Sequence, residues 1–250
     1  LGEESSKIKL PGPPGWGLGM RLTTSNCKSN TVGNPQMRNA RRINWRRIGK
    51  HKGLRIGEWN VLSLYRSGAL KNLIGQMVEY NIDILALQEI RWLGNNILEK
   101  KEGDVYYSCH NKLHQFGTGF MVNQKCKHLV IEFQPINFRM CKLRIKERFQ
   151  NYSLINIHAP TEMKSEDEKD TFYEQLEKTY DECPRHDIKI VLGDFNGKIG
   201  QQNEFLNVTG MHSLHKEFDD NGMRLVDFAI SRNMVISSTM FPHKNIHKPT

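Results

Sequence analysis

The chain lacks the cysteine pattern of a secreted, disulfide-linked domain. Its five cysteines are odd in number and include no Cys-x-x-Cys pair. They therefore argue against a disulfide framework and favour a reducing, intracellular compartment.

Long apolar runs are also absent. No segment approaches the roughly 18 consecutive apolar residues of a membrane span, and the N-terminus lacks the apolar core of a signal peptide. We expect a soluble protein with no membrane partner; nothing in the sequence indicates its oligomeric state.

Acidic residues are scarce in the first part of the chain. Residues 1–55 contain 12 Lys or Arg but only 2 Asp or Glu, although the whole chain has a formal net charge of +9. We predict that residues 1–53 form a basic, largely disordered segment. The run of cations around Trp45, from Arg41 to Lys52, is suited to binding nucleic acid or to nuclear import, and is equally compatible with a plain solvated charge run.

Two stretches of the chain follow a strand, helix, strand pattern. The first opens with an alternating strand at 54–61 and continues with apolar residues at helical spacing over 70–78. Ser67 is the predicted N-cap of this helix, and Asn81 ends it in the left-handed conformation. The apolar run 84–87 then predicts a buried strand.

The second copy comprises a strand at 152–157, a helix that opens with the capping box of Ser165 and Glu168, and a strand at 188–193. Other strands are predicted at 105–109, 119–122, 128–133, 139–145 and 234–237, with a helix at 222–232. Strands of both kinds covered by helices indicate an α/β sandwich, in which two mixed sheets lie face to face with the helices outside.

Five polar residues lie at or just past the C-terminal ends of predicted buried strands: Asn60, Glu89, His158, Asp194 and Asn196. Sheets in α/β proteins usually place their sites at this edge. Each residue alone also has a structural explanation, such as a turn, a surface ion pair or a core histidine. Five together predict a shared site.

These residue types are suited to metal-assisted hydrolysis of a phosphodiester. Glu89 is a hard oxygen ligand for Mg²⁺ or Mn²⁺. Asp194, which an extended backbone would point the same way as Asn196, can accept a proton from an attacking water. Asn60 and Asn196 can donate hydrogen bonds to phosphoryl oxygens, and His158 can protonate or hydrogen-bond the leaving or a nonbridging oxygen.

Four motifs resemble, in order and spacing, those of the endonuclease/exonuclease/phosphatase superfamily. They are Trp-Asn-Val at 59–61, Leu-Gln-Glu at 87–89, Asn-Ile-His-Ala-Pro-Thr at 156–161 and Leu-Gly-Asp-Phe-Asn-Gly at 192–197. The resemblance implies a four-layered α/β sandwich over residues 54–250. Within the superfamily the chain most resembles endonucleases of LINE-type retrotransposons, of the RTE or BovB kind, and the related craniofacial development proteins.

The resemblance also implies roles for the five residues. Glu89 would be the metal ligand, with Asn60 supporting the metal and the phosphate. Asp194 and Asn196 would activate water and orient the phosphate, and His158 stands where relatives often have tyrosine. The implied protein is an Mg²⁺- or Mn²⁺-dependent DNA endonuclease located in the nucleus.

One departure from the family motifs argues against full endonuclease activity. Relatives finish with an Ile-Asp-Tyr/His motif and a Ser-Asp-His motif, whereas this sequence contains no Asp-His dipeptide. We therefore expect a C-terminally truncated domain whose 250 residues are inactive or weakly active. The alternative is a non-catalytic, domesticated module that binds nucleic acid or protein.

Overall fold

Strands and helices alternate along the chain and assemble into two sheets. The computed structural model describes Leu22–Thr24 and residues 53–242. The strands are β1 (Leu22–Thr24), β2 (Ile56–Asn60), β3 (Ile84–Gln88), β4 (Asn95–Leu98), β5 (Gly103–Ser108), β6 (Thr118–Asn123), β7 (Val130–Asn137), β8 (Met140–Ile145), β9 (Tyr152–His158), β10 (Ile188–Asp194) and β11 (Met234–Ile236). The helices are α1 (Ala69–Glu79), α2 (Glu166–Asp181) and α3 (Asp220–Ser231).

Each sheet is mixed and contains one parallel pair. The six-stranded sheet has the order β11-β1-β10-β9-β8-β7, and the five-stranded sheet has the order β2-β3-β6-β5-β4. The parallel pairs are β9 with β10 and β2 with β3, and all other neighbours are antiparallel. The strand, helix, strand copies of the sequence are these two parallel pairs with their crossover helices.

The two sheets pack face to face through a buried apolar layer. Ala86 and Phe120 of the five-stranded sheet meet Leu143, Leu154 and Leu192 of the six-stranded sheet. Burial of this layer stabilises the folded state by roughly 25 cal/mol for each Å² of apolar surface removed from water.

The helices cover the outer faces of the sheets. Leu73 and Met77 of α1 pack on the five-stranded sheet. Phe172 and Leu176 of α2, with Phe228 of α3, pack on the six-stranded sheet. The order of layers is helix, sheet, sheet, helix, so the predicted four-layered α/β sandwich is confirmed.

The predicted helix ends are right in two places and wrong in one. Ser165 accepts a hydrogen bond from the backbone nitrogen of Glu168 at 3.3 Å, and Asn81 has a left-handed φ of 52°. Ser67 is not the N-cap of α1, because that helix begins after Gly68, whose φ is 81° and which provides no side-chain cap. Glycine reaches this conformation without steric cost.

Several strand boundaries differ from the sequence prediction. A 3-10 turn occupies Lys127–Leu129, so β7 begins two residues later than expected and extends to Asn137. β4 was not predicted, since its Asn95 and Asn96 are polar and exposed at the edge of the sheet. β1 falls within the segment that we expected to be disordered, and the rest of that segment up to residue 52 lies outside the described residues.

Candidate active site

The C-terminal ends of the two parallel pairs lie at one edge of the sandwich. Asn60 ends β2, and Glu89 follows the last residue of β3. On the other sheet His158 and Asp194 are the last residues of β9 and β10 and are paired in register. Each sheet therefore delivers two of the predicted site residues.

The side chain of Asn60 connects the two sheets at this edge. Its Nδ2 donates to Oε1 of Glu89 at 3.1 Å and to Oδ2 of Asp194 at 3.2 Å. Its Oδ1 accepts from the backbone nitrogen of Leu62 at 3.2 Å, which fixes the direction of the amide. One carboxamide thus holds two carboxylates from different sheets around a single point.

Glu89 is held ionised and in an unusual backbone conformation. Its φ is 56°, and its Oε2 accepts from Arg91 at 2.5 Å. Burial raises the pKa of Glu89, but the hydrogen bonds from Asn60 and Arg91 and the positive charge of Arg91 outweigh burial and lower that pKa. A non-glycine residue at positive φ stores strain that is common at functional sites.

The imidazole of His158 lies beside the carboxylates without a fixed hydrogen-bond partner. Its Nε2 is 3.9 Å from Oε1 of Glu89, and its buried Nδ1 has no partner among the described residues. Burial lowers the pKa of His158, and the negative charge of Asp194 opposes this effect without reversing it. At neutral pH the ring is therefore neutral and free to bind a substrate group.

Asp194 and Asn196 are brought together by a turn, not by strand alternation. β10 ends at Asp194, and Asn196 has a left-handed φ of 47°. The backbone nitrogen of Asn196 donates to Oδ1 of Asp194 at 3.0 Å, as in an Asx turn. The side chain of Asn196 donates to the carbonyl of Ala159 at 2.9 Å, so this amide is anchored to the loop after His158.

Two buried polar residues between the sheets support the site, and both lie within motifs of the sequence that assigned them no role. Nε2 of Gln88 donates to Oδ1 of Asn156 at 2.6 Å, and Nδ2 of Asn156 donates to the carbonyls of Leu87 and Gly119 at 2.8 and 2.7 Å. Gln88 ends the apolar strand β3 and Asn156 interrupts the apolar strand β9, which is the signal that could have revealed their role. This network aligns β3 with β9 directly beneath Glu89 and His158.

The start of α3 closes the far side of the site. Asn221 is fully buried, and its Nδ2 donates to the carbonyls of Pro160 and Asn196 at 3.0 and 2.8 Å. These bonds join the loop after β9 to the loop after β10, so the segment at the start of α3 fixes the backbone that carries Asn196.

The donor atoms at this edge suit a hard divalent cation. Glu89 and Asp194 retain oxygen lone pairs beyond the hydrogen bonds described above. Within residues 53–242 no three His, Cys, Asp or Glu side chains form a metal-binding group. An ion held here would have one or two carboxylate ligands and complete its shell with water and phosphate, as Mg²⁺ does. Because the nitrogen of Asn60 faces the carboxylates, Asn60 would hold the ligands in place.

One known family matches the chain. Residues 57–200, more than half of the chain, match the model of the endonuclease/exonuclease/phosphatase family. The chain belongs to this family. All five predicted site residues lie within the matched range, and the resemblance expected from the four motifs is confirmed.

The chain is also similar to individual proteins. Craniofacial development protein 2 of Tragulus javanicus is 33% identical over 186 residues, which are 74% of this chain and 32% of that protein. The chain therefore spans about a third of the length of the curated relatives that it matches.

Two solved structures match the chain at low sequence identity. AP endonuclease LMAP from Leishmania major has a TM-score of 0.50 and 12% identity, with 72% of this chain and 67% of that one covered. The endonuclease domain of TRAS1, a telomere-specific non-LTR retrotransposon, has a TM-score of 0.48 and 14% identity, with 72% of each chain covered. At this identity the likeness concerns the fold alone.

The structure has no helix, among its described residues, that is long and apolar enough to cross a membrane.

Proposed function

We propose that the chain is the catalytic region of an Mg²⁺- or Mn²⁺-dependent DNA endonuclease that hydrolyses phosphodiester bonds and derives from a LINE-type retrotransposon. The observation that carries this proposal is the convergence of Glu89 and Asp194, from different sheets, on the amide of Asn60. Two carboxylates placed in this way can hold a metal ion and an attacking water on opposite sides of one phosphate.

The residues of the chain have separate tasks in this proposal. Asp194 orients the attacking water and accepts its proton, since its carboxylate is aligned by Asn60 and by the backbone of Asn196. Asn196 hydrogen-bonds a phosphoryl oxygen. His158, neutral at pH 7, donates to the leaving or a nonbridging oxygen.

A bound divalent ion would neutralise charge on the phosphate as it develops in the transition state. Glu89 would be its ligand, and its lowered pKa keeps the carboxylate ionised over the neutral pH range. Arg91, which now pairs with Glu89, balances the negative charge of the carboxylates.

DNA is the proposed substrate, and the nucleus is the proposed location. The family includes nucleases with this fold, and the basic residues between 41 and 52 would add sequence-independent contacts to phosphates or serve in nuclear import. That basic run lies outside the described residues.

A second candidate function is a non-catalytic nucleic-acid or protein interaction module. One observation favours it: the 250 residues contain no Asp-His dipeptide, and the family places a transition-state histidine in a Ser-Asp-His motif. Loss of one member of a catalytic unit costs orders of magnitude in rate. We therefore expect hydrolysis by these 250 residues to be slow.

Nicking of supercoiled plasmid separates the two functions. The 250-residue chain should convert supercoiled to open-circular DNA slowly in Mg²⁺, and EDTA or Asp194→Ala should stop it. Asp227→Ala changes an exposed aspartate on α3 and should leave the rate unchanged. Salt-sensitive DNA binding without nicking, at any enzyme concentration, would support the module instead.

A further inference from the structure

Arg139 lies beside the candidate active site and had no predicted role. It immediately precedes β8, and its NH1 group donates to the carbonyl of His158 at 3.1 Å and to that of Ala159 at 3.3 Å. The carbonyl of Ala159 also accepts from Nδ2 of Asn196. Arg139 and Asn196 therefore meet at one backbone oxygen.

An aromatic ring fixes the plane of this guanidinium. The central carbon of Arg139 is 4.1 Å from the centroid of the Phe116 ring, and Phe116 in turn stacks on Phe138 with centroids 5.5 Å apart. Stacking of this kind orients an arginine while leaving its edge available. The Phe116 ring also lies 5.9 Å from the His158 ring, so the stack borders the site.

Arg139 differs from the other partly buried arginines in having no carboxylate partner. Arg91, Arg144, Arg224 and Arg232 each form at least one ion pair with Asp or Glu. Among the residues that the structure describes, no carboxylate lies within ion-pairing distance of Arg139, and Glu168 acts on it only at longer range. Arginines without ion pairs elsewhere in residues 53–242 are exposed to solvent.

An unpaired cation in a partly buried position is costly unless an anion comes to it. NH1 uses its two protons on the carbonyls of His158 and Ala159, while the Nε and NH2 donors have no acceptor within the described part of the chain. Nε and NH2 form the edge of the guanidinium that matches two oxygens of a phosphate.

We infer that Arg139 binds a phosphate of the substrate backbone at the reaction centre, next to Asn196, through the free edge of its guanidinium. This inference rests on the proposed function, because it adds a phosphate-binding residue to the same site. It assigns to the loop between β7 and β8 a part in substrate binding that the motifs of the sequence do not contain.

Inorganic phosphate is the direct probe of this inference. Its affinity for the metal-free 250-residue chain, measured by isothermal titration calorimetry, should fall at least tenfold in Arg139→Met, which keeps an aliphatic chain on Phe116. Arg139→Lys retains the positive charge but not the planar pair of donors of the guanidinium, so its affinity for phosphate should be intermediate. The control Arg185→Met removes an exposed arginine and should bind phosphate as the original chain does.

Binding of duplex DNA gives a second readout that a merely structural role would not change. The slope of log affinity against log salt concentration should decrease by about one in Arg139→Met and remain unchanged in Arg185→Met. If Arg139→Met does not fold, Arg139→Gln, which also removes the charge, carries the same comparison of phosphate affinity and salt slope. Equal phosphate affinity and equal salt slope in the folded Arg139 variants and the original chain would overturn the inference.

The outcomes also distinguish this inference from the proposed function. Phosphate binding that depends on Arg139, in a chain that never nicks DNA with any metal, would retain the inference and reject the endonuclease. Nicking that depends on Asp194 but proceeds equally well in Arg139→Met, with unchanged phosphate affinity, would reject the inference and retain the endonuclease.

Discussion

The side-chain nitrogen of Asn60 lies 3.2 Å from Oδ2 of Asp194 and joins the ends of two strands that belong to different sheets. The same nitrogen lies 3.1 Å from Oε1 of Glu89. Neither sheet contains the whole group, so the site exists only while the two sheets are packed in register. Changes far from the carboxylates can therefore affect the site by shifting one sheet against the other.

Asn60→Asp should turn a stabilising link into a repulsive one. The substitution keeps the shape of the side chain, removes both donated hydrogen bonds and places a third carboxylate beside Glu89 and Asp194. We expect this variant to have a lower melting temperature in EDTA than the original chain. Adding Mg²⁺ should raise its melting temperature by more than it raises that of the original chain.

Asn72→Asp is the matched control, because Asn72 is exposed on α1. Its melting temperature should change little, and its gain from Mg²⁺ should equal that of the original chain. If the melting curve of Asn60→Asp in EDTA coincides with that of the original chain, the hydrogen bonds from Asn60 to Glu89 and Asp194 do not stabilise the fold.

Asn156→Leu should be strongly destabilising. It removes the acceptor of the Gln88 amide and one of the donors to the carbonyls of Leu87 and Gly119, in a region with almost no water access. The unsatisfied amide of Gln88 costs about 1–3 kcal/mol and each lost hydrogen bond to a carbonyl about 1 kcal/mol, so the free energy of unfolding in urea should fall by about 3 kcal/mol.

The double variant Gln88→Leu, Asn156→Leu tests whether the loss comes from this hydrogen-bond network. Removing both partners should cost less than the sum of the two single changes, because fewer polar groups remain unsatisfied. Strict additivity of the two changes in unfolding free energy would contradict the coupling.

The elements with a strong local signal could be predicted from the sequence. The continuous apolar run of β3 indicates a buried strand. Ser165 and Glu168 mark the start of α2, because the hydrogen bond between them lies within one turn. β4 could not be predicted, since Asn95 and Asn96 acquire a strand conformation only by pairing with β5. The N-cap at Ser67 failed because Gly68 already provides a left-handed start for α1.

The candidate active site was likewise predictable only in part. The five residues could be found because each follows a buried strand, but their contacts could not be derived from spacing. Asn196 reaches the site through a left-handed turn that an extended strand would not form. The contacts of Arg139 and Asn156 depend on the packing of strands that are distant in the chain. Asn156 lies in a motif and Arg139 does not, but neither position reveals those contacts.

Gly193→Ala should be among the most damaging small substitutions. Gly193 has a φ of 124°, and an added Cβ would lie 2.0 Å from the carbonyl oxygen of Ile157. The new atom would push β9 and β10 apart directly before Asp194. We expect a loss of several kcal/mol in unfolding free energy, on the order of a strained backbone plus a steric clash.

Gly75→Ala supplies the control for this change. Gly75 lies in α1, and nothing lies within 4 Å of an added Cβ. Because alanine favours the helix by about 0.5–1 kcal/mol over glycine, this variant should be more stable than the original chain. Equal effects of the two substitutions in thermal melts would contradict the close approach at Gly193.

Asp187 should make stability depend on pH in the acidic range. Burial would raise its pKa, but the paired hydrogen bonds from Arg144, at 2.7 and 3.0 Å, and the bond from Ser153 lower that pKa below the ordinary value. The stabilisation is therefore present above the unfolded pKa of about 3.9 and is lost as the pH falls through the folded pKa.

Asp187→Asn should lower the melting temperature at pH 7, and the difference from the original chain should shrink below about pH 4. Thermal melts by circular dichroism between pH 2.5 and 7 measure both curves. A difference that stays constant across this range would show that the Arg144 pair does not act through the charge of Asp187.

Direct measurement of Mn²⁺ binding tests the central claim, that strand ends from both sheets build one site for a divalent ion. Titration of the 250-residue chain, followed by electron paramagnetic resonance, should show one bound Mn²⁺ that Mg²⁺ displaces. Glu89→Gln should abolish this binding, and Asp227→Asn, on the exposed face of α3, should leave it unchanged. Absence of binding by the folded original chain, or equal binding by Glu89→Gln, would contradict the account.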